Sequence, residues 1–172
     1  MKLNPRQQFY YGRELYLHHR YQEALQIFEN FLDSRKGWIE NKIEACCQCT
    51  YCHENLGHSD KALEALLRSF TYDSPRAEIC CELGRLFLAR GKARLAIYWY
   101  SLALSCTRDD SRGGFVSLDC YGYLPCIQMC VCYILLGDLE RAEQFNELAA
   151  SFKPDSPVVQ HNREYFRGMK EQ

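Results

Sequence analysis

The fold is decided by the stretch LGRLFLARGKARLAIYWY, which runs from Leu83 to Tyr100. Apolar residues recur at helical spacing on both sides of Arg90-Gly91, a pattern typical of two amphipathic helices joined by a tight turn. Gly91 can adopt the left-handed conformation that ends a helix. Ala96 is small, so the second helix can approach the first closely at this point. The stretch therefore predicts an antiparallel helical hairpin.

The same signals recur along the chain. Leu56-Gly57 and Leu136-Gly137 each end an apolar-periodic run, as Arg90-Gly91 does, and an Ala follows five residues after each glycine. His19 takes the place of the glycine in the first run. The equivalent alanines are separated by 38, 34 and 46 positions: Ala24, Ala62, Ala96 and Ala142. The chain is therefore an internal repeat of one helical unit.

A period of about 34 residues that encodes a helix–turn–helix unit is typical of the tetratricopeptide repeat (TPR). The third unit carries Leu83-Gly84-x2-Phe87 and Ala96-x3-Tyr100, which resemble both halves of the TPR consensus. The first unit carries Ala24-x3-Phe28, and the second has Thr50 where the glycine is usual. The resemblance implies an all-α fold, a TPR right-handed superhelix of four antiparallel helix hairpins plus a C-terminal capping helix.

We predict a single TPR domain over residues 1–172. Its repeats are predicted at 5–36, 38–73, 75–107 and 123–154, with a terminal helix over 156–168. Asn4-Pro5, Ser74-Pro75 and Ser156-Pro157 each predict a helix start, since a polar cap followed by proline favours the first helical turn.

Twelve extra residues separate the fourth repeat from the third, within the stretch 107–123. Long insertions between stacked repeats usually emerge as a loop on one face, often the binding face. We expect this loop to carry function through Phe115, Asp119 and Tyr121, although a passive linker is the alternative.

Charge and cysteine content restrict the class of protein. The chain has 21 Lys and Arg against 22 Asp and Glu, with a net charge of −1, which argues against a nucleic-acid-binding protein. Eleven cysteines without an N-terminal signal segment indicate a cytoplasmic protein with reduced thiols; a secreted disulfide framework is the alternative. The longest apolar stretch, Leu124 to Leu136, is shorter than the roughly 20 residues of a membrane span.

Cys49, Cys52 and His53 have a spacing that holds zinc in some folds. They fall inside a predicted helix, however, and Cys46, Cys80 and Cys126 occupy equivalent positions in successive repeats. Thiols at equivalent packing positions act as small buried apolar groups. We therefore expect packing rather than a metal site, and we identify no catalytic residue and no cofactor motif.

The first helix of each repeat is predicted to line a binding groove for a protein or peptide partner. The residues assigned to this groove by their repeat position are aromatic or charged: Phe9, Arg13, Tyr16, Tyr51, Glu54, Arg85, His161 and Tyr165. Alternatively, the last helix covers one end of the groove as a cap.

Several stretches resemble the C-terminal helical region of bacterial family-2 glycosyltransferases. They include Arg20-Tyr21-x-Glu23-Ala24, Trp38-Ile39-Glu40, Gly114-Phe115-Val116 with Asp119, and Leu136-Gly137-Asp138. The resemblance implies a non-catalytic accessory role: docking onto an N-terminal glycosyltransferase domain, holding the acceptor, or making a homodimer. A fragment of such an enzyme and a stand-alone relative are both compatible with it. The alternative is an independent scaffold or adaptor that binds a peptide in its groove.

Overall fold

The computed structural model describes residues 3–171, and this part of the chain contains nine α-helices and no β-strand. Residues 1, 2 and 172 of the predicted domain lie outside the described residues. The helices are α1 (Pro5–Leu17), α2 (Tyr21–Asp33), α3 (Ile39–Asn55), α4 (Ser59–Leu67), α5 (Ala77–Ala89), α6 (Ala93–Ser105), α7 (Tyr123–Leu135), α8 (Leu139–Phe152) and α9 (Pro157–Lys170). The first eight pack in consecutive pairs, which confirms the predicted all-α fold of four hairpins and a terminal helix.

The chain forms two compact units. The first comprises α1 to α4 within Met1–Pro75 and a short segment of the insertion, Asp109–Phe115. The second comprises α5 to α9 within Arg76–Arg108 and Val116–Gln172. Each unit has its own buried apolar core. The sequence predicted one domain over the whole length, whereas contacts within the chain group its residues into two units.

Each hairpin turns at a residue in the left-handed conformation. The φ values are +58° at His19, +76° at Gly57, +70° at Gly91 and +76° at Gly137. In the third hairpin the amide of Lys92 donates a hydrogen bond to the carbonyl oxygen of Phe87 at 2.9 Å, as in a Schellman motif. The helix-ending role predicted for these four positions is confirmed.

The two helices of a hairpin meet where a small residue on the first faces a large residue on the second. A Cβ placed on Gly12 would lie 2.7 Å from the Phe28 ring, and one placed on Gly84 would lie 2.6 Å from the Tyr100 ring. Both distances are too short for real atoms, so glycine is required for the helices to approach this closely. The four repeat alanines are fully buried, which agrees with the close approach predicted for them.

The second hairpin satisfies the same constraint with different residues. Thr50 and Leu66 replace the glycine and the aromatic residue, and both are fully buried. The Thr50 hydroxyl lies 2.9 Å from the carbonyl oxygen of Cys46 and 3.1 Å from that of Ala62, so it can donate to either. A buried hydroxyl must be hydrogen-bonded to avoid a desolvation cost, and here the polar group remains satisfied.

The fourth hairpin places a polar residue, Asn146, at the large position, where it also anchors α9. The fully buried Asn146 amide donates to the carbonyl oxygen of Val159 at 3.2 Å and accepts from the amide of Asn162 at 2.8 Å. Arg163 pairs with Glu147 at 2.5 Å, and Phe166 is buried in the core of the second unit. The terminal helix therefore covers the last hairpin, in agreement with its predicted capping role.

Two of the three predicted polar–proline helix starts are confirmed. Asn4 accepts a hydrogen bond from the amide of Gln7 in a capping box, and Ser156 accepts one from the amide of Val159. The prediction at Ser74-Pro75 is wrong, because α5 begins two residues later, after Arg76. The Ser74 amide donates to the side chain of Asp73 at 2.8 Å, and residues 73 and 74 form a bend before the helix.

We expect Gly84→Ala to lower the free energy of unfolding by about 1–3 kcal/mol, because the added methyl group overpacks the Tyr100 ring. Gly168→Ala is the matched control, since a Cβ on Gly168 meets no atom within 4 Å and the residue lies within α9. The control should raise stability by up to about 1 kcal/mol through helix propensity. Urea unfolding of both variants measures these changes, and a neutral Gly84→Ala would contradict the proposed volume match.

Candidate functional site

Four of the predicted groove residues lie half-buried on α1 and α3 of the first unit. The Tyr16 ring on α1 and the Tyr51 ring on α3 have centroids 6.4 Å apart. Burial raises the pKa of Tyr16, with further contributions from the neighbouring Tyr21, Cys52 and Glu54. Arg13, Tyr16, Tyr51 and Glu54 are all half-buried, so part of each side chain faces solvent. We call the surface formed by Arg13, Tyr16, Tyr51 and Glu54 the α1–α3 face.

Arg13 extends this surface toward the insertion. Its guanidinium lies 5.8 Å from the ring centroid of Phe9 and 5.4 Å from that of Phe115, a distance suited to cation–π attraction. The Phe9 and Phe115 centroids are 6.0 Å apart. Phe9 was predicted to line the groove, but it is fully buried. It therefore belongs to the core and supports Phe115 from within.

Three further contacts hold the segment 109–115 in place, and they involve Asp73, Glu40 and Trp38. Arg112 forms an ion pair with Asp73, and within the segment it also pairs with Asp109 at 2.9 Å. A Cβ placed on Gly114 would overlap the buried carboxylate of Glu40, and one placed on Gly113 would lie 3.9 Å from the Trp38 ring. Within the first unit, the segment thus contacts residues of the first two hairpins and the stretches that flank them through an aromatic ring, a guanidinium and glycine backbone.

The remaining loop residues are held within the second unit. The Tyr121 hydroxyl donates to the carboxylate of Glu78 at 3.0 Å, and burial, together with this carboxylate, raises the pKa of Tyr121. Asp119 pairs with Lys153 at 2.6 Å. These contacts fix the path of the insertion, which contains two short 3₁₀ helices, Asp110–Arg112 and Leu118–Tyr121. A functional role for Asp119 and Tyr121 stays a prediction.

The groove residues predicted on the second unit lie on α5 and α9. Arg85 pairs with Glu82 on its own helix at 2.8 Å. His161 is exposed on α9, and Tyr165, which is 41% exposed, makes an edge-to-face contact with Phe166. Their participation in partner binding stays a prediction.

The cysteines pack in the cores of the two units. None of the eleven is in a disulfide, and ten are buried, the exception being the half-buried Cys106. Burial raises the pKa of the Cys46, Cys52 and Cys80 thiols to about 12. It raises the pKa of the Cys126, Cys130 and Cys132 thiols to about 11. Thiols this weakly acidic act as apolar packing groups. Within residues 3–171, no group of three or more His, Cys, Asp or Glu is arranged to hold a metal ion.

Comparison with solved structures identifies the fold. The type IV pilus biogenesis factor PilW superposes with a TM-score of 0.70 at 18% identity, covering 92% of this chain and 66% of PilW. The TPR-like repeats of a putative kinesin light chain from Podospora anserina give a TM-score of 0.65 at 13% identity, covering 99% and 94% of the two chains. YrrB, described as a TPR protein with an unusual peptide-binding site, gives 0.51 at 11% identity, covering 94% and 92%. The chain therefore has the TPR fold.

No protein-family model matches the chain, and no curated protein matches it. Among the described residues, no helix is both long enough and apolar enough to cross a membrane.

Sequence reasoning missed the residues that hold the insertion against the first unit, namely Trp38, Glu40 and Asp73. Each contacts the segment 109–115, yet Asp73 precedes Arg112 by 39 positions. Repeat register assigns positions within a repeat, but it carries no information on the path of a residue stretch that lies outside the repeat. The stretch Trp38-Ile39-Glu40 carries part of the family resemblance, which is the one signal that the sequence offers at these positions.

We expect iodoacetamide to modify Cys106 first in the folded protein, because the other ten thiols are buried. The remaining cysteines should react only at the rate at which the units open. Mass spectrometry of tryptic peptides over time locates each modified site, and Cys106→Ser is the control that removes the early product. Early modification of Cys46, Cys80 or Cys126 in the folded protein would contradict their role as packing groups.

Proposed function

We propose that this chain is a protein-interaction module that binds a short peptide segment on the first unit, beside the α1–α3 face. One observation carries the proposal: the segment 109–115 already lies there, as a peptide ligand would. Interaction surfaces are rich in exposed Tyr, Trp and Arg, and this surface offers Arg13, Tyr16, Tyr51 and Trp38.

The contacts of the segment indicate the chemistry of a suitable partner. Its guanidinium, from Arg112, meets the carboxylate of Asp73, and its aromatic ring, from Phe115, meets Phe9 and Arg13. The two glycines between them allow the backbone to approach Trp38 and Glu40 closely. A partner segment with an arginine, two small residues and then an aromatic residue would reproduce these contacts. The exposed parts of Tyr16, Tyr51 and Glu54 provide further surface.

The fold comparisons support this class of function without naming a partner. YrrB is described as having a peptide-binding site, and solenoid repeats commonly bind partners on one extended surface. In this chain the repeats themselves offer no catalytic motif. The role proposed here is therefore binding rather than chemistry.

The proposal predicts binding of the segment in trans. In a variant whose residues 109–115 are replaced by a Gly/Ser linker of equal length, a fluorescent peptide with the sequence of residues 108–116 should bind the vacated surface. The wild-type chain should bind the same peptide at least about tenfold more weakly, because its own segment competes at high effective concentration. Fluorescence anisotropy measures both affinities.

Matched controls separate specific binding from adhesion to an exposed apolar surface. Peptides with Phe115→Ala or with Arg112→Ala should each lose affinity, while a peptide with Ser111→Ala should retain most of it. Circular dichroism must show that the linker variant keeps its helical content. If that folded variant does not bind the peptide, or if it binds the Phe115→Ala peptide equally well, the proposed function fails.

A second candidate is the accessory role in a family-2 glycosyltransferase that the sequence resemblance implies. It is favoured by the residues of the insertion that carry the resemblance. A Cβ on Gly114 would overlap the side chain of Glu40, and Phe115 and Asp119 make the contacts that hold the loop. An antibody to this chain tests the candidate: it should detect an endogenous protein far heavier than 20.2 kDa. A product at 20.2 kDa would favour the independent adaptor.

We propose a cytoplasmic location for either role. The proposal is supported by eleven thiols outside disulfides, since proteins of oxidising compartments usually pair their cysteines. A homodimer, which the resemblance also implies, stays a prediction.

A further inference from the structure

A cleft of about 680 Å³ opens on the first unit near the ends of α2 and α4 and the start of α3. Its volume is within the range of small-molecule sites. Four of its lining residues are charged and the others are apolar or carry hydroxyl groups: Leu32, Asp33, Arg35, Lys42, Arg68, Thr71 and Tyr72. It shares no residue with the α1–α3 face or with the contacts of the segment 109–115, so it is independent of the proposed peptide site.

Lys42 is the unusual member of this set. The residue is 9% exposed, and its ammonium lies 5.3 Å from the centroid of the Tyr72 ring. No carboxylate in the described part of the chain forms an ion pair with it. Lysine is rarely buried unless its charge is compensated, and a cation–π contact compensates only part of the desolvation cost. A charge of this kind at the wall of an open cleft indicates an anionic ligand.

The other charges of the cleft leave a positive excess. Arg68 pairs with Asp33 at 2.7 Å, so these two charges balance. Arg35 is exposed, and within residues 3–171 it has no ionic partner. Arg35 and Lys42 together therefore contribute two uncompensated positive charges to the cleft.

We propose that this cleft binds a phosphoryl group. Lysine provides a compact charge for phosphate, and arginine provides a fork of donors that matches its oxygens. The Tyr72 ring and Leu32 supply apolar surface beside the charged end, where the organic part of a phosphate ester can lie. The cleft thus has the two halves that a phosphorylated small molecule requires.

Isothermal titration with inorganic pyrophosphate at low ionic strength tests the proposal. We expect one bound anion per chain and a matching rise of the unfolding temperature, because a ligand of the folded state stabilises it. Lys42→Met should weaken the affinity at least about tenfold, equivalent to roughly 1.4 kcal/mol. Arg35→Gln, at an exposed position where misfolding is not a concern, should weaken it as well. Lys36→Met, at an exposed lysine outside the cleft, is the matched control and should bind as the wild type does.

Lys42→Met gives a second readout that requires no ligand. Removing a buried uncompensated charge should raise the unfolding temperature in the absence of anions, and added pyrophosphate should no longer raise it further.

Comparison of the binding of pyrophosphate, adenosine diphosphate and adenosine identifies the source of the phosphoryl group. Tighter binding of the diphosphate indicates a phosphorylated small molecule, and equal binding of the diphosphate and pyrophosphate indicates the free anion. No binding of pyrophosphate to the wild type, or equal losses in Lys36→Met and Lys42→Met, would overturn the proposal. The peptide experiment is unaffected by either result.

Discussion

The two helices of a TPR hairpin can pack closely only where a small residue on one faces a large residue on the other. In this chain the residues that occupy these two positions differ from one hairpin to the next. Gly12 faces Phe28 and Gly84 faces Tyr100, and the equivalent positions of the second hairpin hold the fully buried Thr50 and Leu66. The fully buried alanine four residues before each large residue allows the same approach. The rest of each unit depends on the distance between the two helices of a hairpin. This distance determines which of the remaining side chains face a neighbouring helix and which face solvent.

The cysteines also serve the packing of the repeats. Equivalent positions in successive repeats carry thiols that burial makes only weakly acidic, such as Cys46, Cys80 and Cys126. A thiol is small, apolar and nearly inert under these conditions. The cluster of Cys and His on α3 that suggests zinc by spacing alone is thus explained by burial. The fourth hairpin shows how far the pattern can change: Asn146 stands at the large position, and its amide joins the terminal helix to the hairpin.

The insertion adds a non-repeat segment to the first unit. The ring of Phe115 in this segment contacts Phe9 and Arg13, and the guanidinium of Arg112 forms an ion pair with Asp73. The half-buried rings of Tyr16 and Tyr51 continue this surface. A surface that binds a loop of its own chain has the chemistry to bind a segment of another chain. The cleft around Lys42 is a separate feature with a different chemistry, because its excess charge is positive and its lining is partly buried.

The sequence by itself determined the hairpins, because they rest on local periodicity. The left-handed turns at His19, Gly57, Gly91 and Gly137 and the alanine that follows each of them could be read from the repeat alone. The repeat register also assigned Arg13, Tyr16 and Tyr51 to the first helices of their repeats, where all three side chains are half-buried. Only the tertiary structure decided that Phe9 is core, that α5 begins after Arg76 and not at Pro75, that Arg112 pairs with Asp73, and that Lys42 lines a cleft. The physical reason is that these outcomes depend on contacts between residues far apart in the chain. No period in the sequence encodes such contacts, whereas hydrogen bonds and packing within a hairpin recur with the repeat.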